Sequence, residues 1–204
     1  MLCRLYFKVF CRLEVHGREN IPPATQRYVL IANHQSFLDV LLLLAVFGRS
    51  GFLFPLATNI AELPFVKLVW PLIKRKVFVM DATNPMAMRE LIRTSCAAPD
   101  KRIVIFPEGR ITLTGALMKV YSGAGMLADK TDAKILPVRI EGLQFSRFSR
   151  LTGMGLPRRW FPRVCVTVLP LKDVDVAPQI KGRQRRRLLT QQLADMMAEK
   201  MYQT

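Results

Sequence analysis

Histidine and cysteine are scarce in this sequence. Its 204 residues include two histidines, His16 and His34, and four cysteines that stand far apart with no CxxC pair. Structural zinc sites and disulfide frameworks need such residues at short, repeated spacings. We therefore expect no metal site and no disulfide, and scattered thiols suit a reducing cytosol. A proton shuttle that works near neutral pH also has few candidates, because histidine is the usual residue for that task.

Long hydrophobic runs are missing as well. The longest uninterrupted apolar run is residues 40–47, whereas a membrane-spanning helix needs about 20 residues. A spanning helix is therefore not indicated. The N-terminal stretch lacks the layout of a signal peptide, since Arg4, Lys8 and Arg12 interrupt it. With 50% hydrophobic residues, the chain is nevertheless apolar enough to bury a sizeable core.

Acidic residues are outnumbered in this chain. It has 15 Asp and Glu against 31 Lys and Arg, a net charge of +16. That balance implies an anionic partner: nucleic acid, a membrane surface or a phosphate-bearing substrate. The cations concentrate in residues 139–187, most densely at 181–187. Four aromatic residues accompany the earlier arginines: Phe145, Phe148, Trp160 and Phe161. This mixture suits a phospholipid headgroup zone or RNA, and the 181–187 run also suits a solvated helix start.

Apolar patterns predict strands that alternate with helices. The predicted strands are residues 13–16, 28–32, 51–57, 77–80, 102–106, 134–140 and 164–169. The predicted helices are residues 37–47, 85–97, 122–130 and 183–202, the second of them with Asn84 as its cap and Pro85 at its first position. Residues 60–73, interrupted by two prolines, form either short core helices or a membrane-facing patch. The alternation favours a single α/β domain with a central mixed, largely parallel sheet flanked by helices.

The pattern of residues 1–13 predicts a short helix. Arg4, Lys8 and Arg12 recur every four residues and form a basic stripe, and apolar residues fill most other positions. Such a helix either lies in a membrane interface or packs on the domain with its charges in water, and the sequence leaves both open. We therefore divide the chain into an interfacial helix, residues 1–13, and the domain itself, residues 14–204.

A first motif, Asn-His-Gln-Ser-Phe-Leu-Asp at residues 33–39, lies between a predicted strand and a predicted helix. Five residues rotate by about 140° on a continuous helix, so His34 and Asp39 cannot share a helical face. They can meet if the histidine lies on the loop and the aspartate on the first helical turn, where an acid also suits the positive helix end. A carboxylate that holds one imidazole nitrogen leaves the other free to take a proton from a hydroxyl. Ordinary turn and capping chemistry is the alternative explanation.

A second motif, Ile-Val-Ile-Phe-Pro-Glu-Gly-Arg at residues 103–110, is a strand that runs into a sharp turn. The turn presents the carboxylate of Glu108, the flexible backbone of Gly109 and the guanidinium of Arg110 together. The planar fork of arginine suits phosphate, and glycine lets a ligand approach the backbone closely. A third run, Ile-Leu-Pro-Val at residues 135–138, is a buried strand end that carries proline.

These three runs, in this order, resemble the conserved blocks of the glycerolipid acyltransferase family: NHxxxxD, then FPEG with an arginine, then a short apolar block with proline. The resemblance covers residues 28–140 and implies the α/β fold of that family. It makes His34 and Asp39 the catalytic pair and puts Glu108, Gly109 and Arg110 in the substrate site.

The sequence departs from the family pattern at two places. The family usually has EGTR, so the arginine here, Arg110, stands one residue early and its role in holding phosphate is open. The family also has a block with a glycine and an arginine before FPEG, and this chain shows no clear counterpart. Residues 74–76, Lys-Arg-Lys, lie in that region without a secure alignment.

Four runs carry a closer likeness: FPEGRIT, LMKVYSGAG, ILPVRIEG and FSRL, at residues 106–112, 117–125, 135–142 and 148–151. They look like the acyltransferase portion of bacterial bifunctional 2-acylglycerophosphoethanolamine acyltransferase/acyl-ACP synthetases, in which a large ATP-dependent ligase follows. These 204 residues contain no such ligase. The chain is then either that portion alone or a free-standing relative, and a fused or separate acyl-ACP synthetase is an implied partner.

The resemblance implies an enzyme bound peripherally to the cytoplasmic face of the bacterial inner membrane. It would move a fatty acyl group from an acyl thioester, acyl-ACP rather than acyl-CoA, to a lysophospholipid hydroxyl. The acceptor implied is 2-acylglycerophosphoethanolamine, with lysophosphatidic acid as the alternative. We expect no cofactor within the chain and no nucleic-acid partner.

In the implied mechanism His34 takes the hydroxyl proton, Asp39 orients His34, and amides at the start of the 37–47 helix hold the oxyanion. Ser36 lies close to His34, so a Ser–His nucleophile is the rival mechanism. Two other classes of protein stay open. An RNA-binding module explains the charge of +16 but neither motif, and a catalytically silent membrane-surface protein explains the basic stripe and the apolar patches.

Overall fold

The structure, a computed structural model, describes residues 2–23, 25–48, 51–81, 84, 86–98, 102–152, 155 and 158–199. The strands are β1 Glu14–His16, β2 Tyr28–Ala32, β3 Phe52–Ala57, β4 Val77–Met80, β5 Arg102–Ile105, β6 Lys134–Glu141 and β7 Cys165–Val168. The α-helices are α1 Leu2–Leu5, α2 Asp39–Phe47, α3 Thr58–Ala61, α4 Pro64–Ile73, α5 Ala87–Ala97, α6 Gly123–Thr131 and α7 Gly182–Ala198. A π-helical turn, Tyr6–Phe10, continues α1.

In the part of the chain that is described, seven strands form one sheet in the order β1-β7-β6-β2-β5-β3-β4. Strands β6, β2, β5, β3 and β4 run parallel to one another, while β7 pairs with β6 in antiparallel fashion and β1 runs parallel to β7. The predicted single α/β domain with a mixed, largely parallel sheet is therefore confirmed.

The central strands β2 and β5 are buried along their whole length. Side chains alternate between the two faces of a strand, and β2 accordingly supplies both cores. Leu30 packs with α2, α4 and the N-terminal segment, whereas Val29 and Ile31 pack with α5, α6 and α7. Burial on both faces explains why these strands appear in the sequence as continuous apolar runs.

Most helices and strands begin and end within one or two residues of their predicted bounds. The start of α2 and the N-terminal segment differ from the prediction. The helix predicted from residue 37 begins at Asp39. The amides of Phe37 and Leu38 bond to the Phe148 carbonyl and the Ser36 hydroxyl, and the amide of Asp39 closes a turn onto the Ser36 carbonyl at 3.2 Å. Asn84 is not the N-cap residue that was predicted, because α5 begins at Ala87 with Met86 as its N-cap residue. The Asn84 side chain instead accepts the amide of Met86 at 2.8 Å, in a turn that precedes the helix. The prediction for Pro85 and the predicted end of the last helix at residues 200–202 lie outside the described residues.

The apolar stretch at residues 60–73 contains the predicted short helices, α3 and α4. Val66 and Ile73 are buried in the core, whereas Leu68 is 78% exposed. The stretch therefore supplies core contacts and also leaves a large apolar side chain in water.

The N-terminal segment is not the regular helix predicted for residues 1–13. It widens into the π-helical turn, and Arg12 lies beyond the helix with a positive φ of 47°. The chain must turn there to enter β1, and the amide of Leu13 reaches back to the carbonyl of Phe7 at 3.0 Å. Phe7 and Cys11 face inward and are fully buried. The predicted stripe of three cations therefore does not continue past the helix.

The cations of residues 139–187 do not form one surface. Helix α6 begins beside the second motif, where the amide of Tyr121 bonds to the carbonyl of Pro107, and it ends just before β6 starts. Near that far end, Arg185 at the start of α7 pairs with Asp129. The 181–187 cluster therefore lies toward the amino ends of the parallel strands, at the opposite edge of the sheet from both motifs.

Candidate active site

Both motifs follow the carboxyl ends of adjacent parallel strands. The first motif loop, residues 33–39, leaves β2, and the second motif loop, residues 107–118, leaves the neighbouring β5. Open parallel sheets bind their ligands at this edge of the sheet. The amide of Thr112 bonds to the carbonyl of His34 at 2.8 Å, so the two loops are joined directly through their backbones.

His34 and Asp39 meet as the sequence predicted. Nδ1 of His34 lies 2.7 Å from Oδ2 of Asp39. The same Oδ2 accepts the backbone amides of Gln35 at 2.6 Å and Ser36 at 3.0 Å. The loop thus folds around the carboxylate, which is completely buried. Because a carboxylate only accepts, the neutral imidazole carries its proton on Nδ1.

The imidazole of His34 is held on its face as well as its edge. It stacks on the ring of Phe106 with centroids 4.1 Å apart and an angle of 13° between the planes. The side chain keeps 19% of its surface exposed. Within the described residues Nε2 has no hydrogen bond. The ring is therefore fixed in orientation, with its basic nitrogen available to a substrate.

The backbone amides before α2 are already engaged. Those of Gln35 and Ser36 bond to Asp39, that of Phe37 to the carbonyl of Phe148, and that of Leu38 to the Ser36 hydroxyl. The expectation that amides at the start of the 37–47 helix hold an oxyanion is therefore wrong for the amides of Phe37 and Leu38. The Ser36 hydroxyl is also fully buried and lies 3.0 Å from the hydroxyl of Ser146, so the geometry disfavours it as a nucleophile.

Glu108 joins the two motif loops through a buried carboxylate. One oxygen accepts the amide of His34 and the other accepts the amide of Met118, both at 2.8 Å. Burial raises the pKa of the Glu108 carboxyl above its usual range, and the two amide bonds offset part of that shift. With 2% of its surface exposed, Glu108 acts here as a positioning residue for the His34 backbone.

Gly109 and Arg110 follow on the exposed side of the turn. Gly109 has a φ of +65°, a conformation that side-chain-bearing residues rarely adopt. The Arg110 side chain is exposed and makes no hydrogen bond or ion pair with the described residues. Of the five predicted site residues, hydrogen bonds link His34, Asp39 and Glu108, and the turn places the other two beside them.

Several supporting residues carry no role in the sequence analysis. Asn33 exchanges two hydrogen bonds with the backbone of Ile140, at 2.8 and 2.7 Å, and so ties the end of β2 to β6. Phe106 lies inside the FPEG motif, yet its stacking on His34 depends on the register of two strands. Residues 148–152, named here the strap, entered the sequence analysis through the run FSRL and through Phe148 as one of the aromatic residues near the arginines, with no role in the site. Long-range backbone contacts of this kind leave no local pattern in a sequence.

The described residues contain neither a cluster of metal ligands nor a membrane-spanning helix. No group of three or more His, Cys, Asp or Glu side chains suited to a metal ion occurs among those residues. Within the same part of the chain, none of the helices combines the length and the apolar character needed to cross a bilayer.

Comparison with known families gives a match over more than half of the chain. A family model described as acyltransferase matches residues 12–141, a range that contains both motif loops. Residues 142–204, with the strap, β7 and α7, lie outside that match.

Individual relatives carry related names. The chain is 31% identical over 132 residues to a 1-acyl-sn-glycerol-3-phosphate acyltransferase of Pseudomonas aeruginosa, covering 62% of this chain and 48% of that protein. It is 29% identical over 135 residues to the chloroplast enzyme LPAT1 of Arabidopsis thaliana, covering 65% of this chain. It is 26% identical over 202 residues to the human alpha enzyme, covering 93% of this chain and 67% of that protein. The chain spans little more than a third of the length of the chloroplast relatives.

A solved structure has the same fold. The 1-acyl-sn-glycerophosphate acyltransferase PlsC of Thermotoga maritima superposes with a TM-score of 0.68 at 21% identity. The superposition covers 98% of this chain and 79% of that protein. At 21% identity, this superposition shows that the two proteins share a fold.

Proposed function

This chain belongs to the acyltransferase family, and from that premise we propose that it moves a fatty acyl group from an acyl thioester to a free hydroxyl of a lysophospholipid. The observation that carries the proposal is the 2.7 Å contact between His34 Nδ1 and Asp39 Oδ2. A buried carboxylate on one imidazole nitrogen makes the other nitrogen a general base for a hydroxyl.

The proposed reaction is a direct transfer. Nε2 of His34 takes the hydroxyl proton while the oxygen attacks the thioester carbonyl. The new ester C–O bond forms and the C–S bond breaks, and the sulfur leaves with the proton from Nε2. Asp39 stabilises the imidazolium between the two proton transfers. The burial of Ser36 and its contact with Ser146 support this route over a covalent acyl-serine.

The acceptor in this proposal carries a phosphate, and Arg110 binds it. Its guanidinium is exposed at the turn beside Gly109, and no described residue pairs with it. Arg110→Lys keeps the charge but loses the planar fork. We expect this variant to raise the KM for the lysophospholipid more than the KM for the acyl donor. Equal effects on both substrates would remove Arg110 from the phosphate site.

Two acceptors have support of different kinds. The run FPEGRIT and its companions support 2-acylglycerophosphoethanolamine, with acyl-ACP as donor and an acyl-ACP synthetase as partner. The names of the relatives support lysophosphatidic acid. Both acceptors present a free glycerol hydroxyl and a phosphate, so the same catalytic pair and the same arginine serve either one.

The decisive experiment offers both acceptors with acyl-ACP and with acyl-CoA. Thiol release and diacyl lipid are measured together, and an acyltransferase must produce them in equal amounts. Thiol release without diacyl lipid would indicate simple hydrolysis. A failure of all four combinations to yield product would leave the non-catalytic alternatives.

We also propose that the protein attaches to the cytoplasmic face of the bacterial inner membrane through a surface near the site. Two segments remote in sequence form this surface, named here the apolar patch: Leu5, Val9, Phe10, Trp160 and Phe161. Each of the five is more than half exposed. Phe10 stacks on Phe161 at 5.2 Å, and Trp160 contacts Phe148 of the strap at 6.0 Å. The exposed cations of the same segments are Arg4, Lys8, Arg12, Arg147, Arg158, Arg159 and Arg163.

Salt and detergent separate the two contributions to membrane attachment. Salt screens the attraction of cations to anionic lipid but not the burial of apolar side chains. We expect high salt to release part of the protein from anionic vesicles and detergent to release the rest. Phe10→Gln should shift the balance toward salt release, and it leaves the buried Phe7 in place. A protein that stays soluble with anionic vesicles at low salt would contradict the membrane proposal.

A further inference from the structure

The strap, residues 148–152, lies across both motif loops. At one end the carbonyl of Phe148 accepts the amide of Phe37 at 3.1 Å, and Ser149 pairs with Ser36 in an antiparallel bridge. At the other end the amide of Thr152 bonds to the carbonyl of Leu113 at 3.0 Å. The strap thus begins on the loop that carries His34 and ends on the loop that carries Arg110, although it lies outside the matched residues 12–141.

Arg150 is the outward-facing residue at the centre of the strap. Ser149 and Leu151, on either side of it, are buried, whereas Arg150 is exposed. Backbone contacts on both sides therefore fix where its Cα lies. Its guanidinium carbon lies 5.2 Å from the centroid of the Phe37 ring. A guanidinium that lies over an aromatic face keeps its N–H groups free for an anion.

The charges at this rim are complementary to a phosphate. Arg150 and Arg110 stand on the strap and on the second motif loop, and neither has a hydrogen bond or ion pair with a described residue. The acids of the site, Asp39 and Glu108, are buried and hold backbone amides. Two guanidiniums that no described residue pairs with therefore stand on the two segments that contact the loop of His34, one through the bridge of Ser149 to Ser36 and one through the bond of Thr112 to His34.

We propose that Arg150 is a second phosphate-binding residue for the lysophospholipid and that it acts together with Arg110. The inference rests on the proposed acyl transfer to a lysophospholipid. Phe37 is the positioning residue that holds the Arg150 side chain in place. Because two guanidiniums would share one phosphate from two sides, the acceptor is oriented as well as bound.

The kinetic test uses a short-chain, water-soluble lysophosphatidic acid without vesicles, so that membrane attachment does not contribute. Arg150→Gln should raise the KM for this acceptor by roughly tenfold or more, since a hydrogen bond to a charged group is lost. The KM for the acyl donor should stay within about twofold. Arg150→Lys should fall between wild type and Arg150→Gln. Arg183→Gln, an exposed arginine of α7 at the opposite edge of the sheet, is the matched control.

Phe37→Leu separates positioning from binding. It keeps apolar bulk but removes the aromatic face, and it should raise the acceptor KM only about two- to fivefold, as expected for an exposed cation–π contact. Arg150→Gln and Phe37→Leu combined should be no worse than Arg150→Gln alone, because the ring acts through the guanidinium. An additive double variant would contradict this relation.

A binding measurement keeps the inference separate from the proposed reaction. Glycerol 3-phosphate, with glycerol as the uncharged control, is titrated into wild type and Arg150→Gln by calorimetry or NMR. Binding of glycerol 3-phosphate that weakens in Arg150→Gln supports the site even if no lysophospholipid is turned over, an outcome that would defeat the proposed function alone. Equal binding by both proteins, no binding by wild type, or an unchanged acceptor KM overturns the assignment of Arg150.

Discussion

The two histidines of this chain each lie beside a carboxylate, yet their surroundings differ. His16, on the edge strand β1, is 3.9 Å from Glu14, and the two side chains are 60% and 45% exposed. His34 follows the carboxyl end of the central strand β2, and its Nδ1 is 2.7 Å from the carboxylate of Asp39, which is completely buried. Glu14 is two residues from His16 in sequence and Asp39 is five residues from His34, yet the contact between His34 and Asp39 is the shorter of the two.

The difference shows that a usable histidine–carboxylate pair depends on the backbone around the acid. Asp39 is fixed because two amides of its own loop bond to the oxygen that faces His34. Glu14 instead pairs with Arg163, which lowers the pKa of its carboxyl while both groups remain in water. An exposed ion pair of this kind restrains its members weakly. The buried pair is thus suited to proton transfer, and the exposed pair is a matched natural control.

The largest expected effect comes from removing each histidine in turn. His34→Ala should lower kcat by about 10⁴-fold, toward the upper end of what a general base contributes. His16→Ala should leave the rate close to wild type, because its imidazole lies on an exposed edge strand. Steady-state assays on both variants, with circular dichroism to check folding, measure the contrast. A His34→Ala enzyme within about tenfold of wild type, about 1.4 kcal/mol in barrier terms, would show that the mechanism is wrong.

Removing the charge of each acid gives the next largest contrast. Among the described residues Oδ1 of Asp39 has no partner, while Oδ2 accepts three contacts. Asn can therefore keep the accepting oxygen and place its NH₂ group where none of these contacts is lost. Asp39→Asn should therefore fold, yet lower kcat by about 10²-fold, because it cannot stabilise an imidazolium. Glu14→Gln is the matched substitution beside His16. Equal rates for the two variants would contradict an electrostatic role for Asp39.

Local chemistry made much of this molecule predictable. The apolar run Tyr28–Ala32 matches a strand at both ends, because a strand buried in a parallel sheet has a continuous apolar pattern. The run Val77–Met80 also matches a strand at both ends, although β4 lies at the edge of the sheet and Val79 is 44% exposed. The spacing of His34 and Asp39 allowed them to meet only with the histidine on the loop and the aspartate on the first helical turn, and the structure has this arrangement. Because β2 and β5 are adjacent and parallel, Glu108, which follows β5, lies at the same carboxyl ends of the strands as His34.

Contacts between remote segments were not predictable in the same way. The amide of Phe37, just before α2, bonds to the carbonyl of Phe148, more than a hundred residues away in sequence. The N-terminal π-helical turn forms where the chain must both bury Phe7 and enter β1. The cations of residues 139–187 lie at two opposite ends of the sheet, because α7 packs antiparallel to α6 and so places residues 181–187 away from both motifs. Each difference comes from packing, which composition and spacing do not record.

Glu108 and Glu14 also differ in the direction of their pKa shifts, since the pKa of buried Glu108 is raised and that of exposed Glu14 is lowered. The stability of the protein should therefore depend on pH through Glu108 in a way that can be measured. Burial raises the pKa of Glu108, so the folded protein binds more protons than the unfolded chain between the ordinary and the raised value. The stability that depends on this group is then fully present below the ordinary carboxyl pKa and is lost as the pH rises through the raised one. Urea unfolding at several pH values from about 4 to 7.5 measures this slope.

Glu108→Gln removes the titration and serves as the reference for that slope. It also leaves one of the two amides, of His34 or Met118, facing an NH₂ group, which should cost about 1–3 kcal/mol. The difference in unfolding free energy between wild type and Glu108→Gln should shrink as the pH rises. A difference that grows with pH would mean that the two amide bonds outweigh burial, and that the pKa of Glu108 is lowered instead.

The smallest expected effect compares two exposed arginines at opposite edges of the sheet. Arg159 adjoins the apolar patch near the strap, whereas Arg187 lies on α7 in the 181–187 cluster. A cation held near an anionic lipid surface contributes roughly 1 kcal/mol, about fivefold in partitioning. Arg159→Gln should therefore weaken binding to anionic vesicles about fivefold at low salt, and Arg187→Gln should change it little. High salt should abolish the difference, because it screens exposed charges. Equal losses for the two variants would mean that net charge alone drives attachment. The protein would then bind the membrane without turning the His34 side toward it.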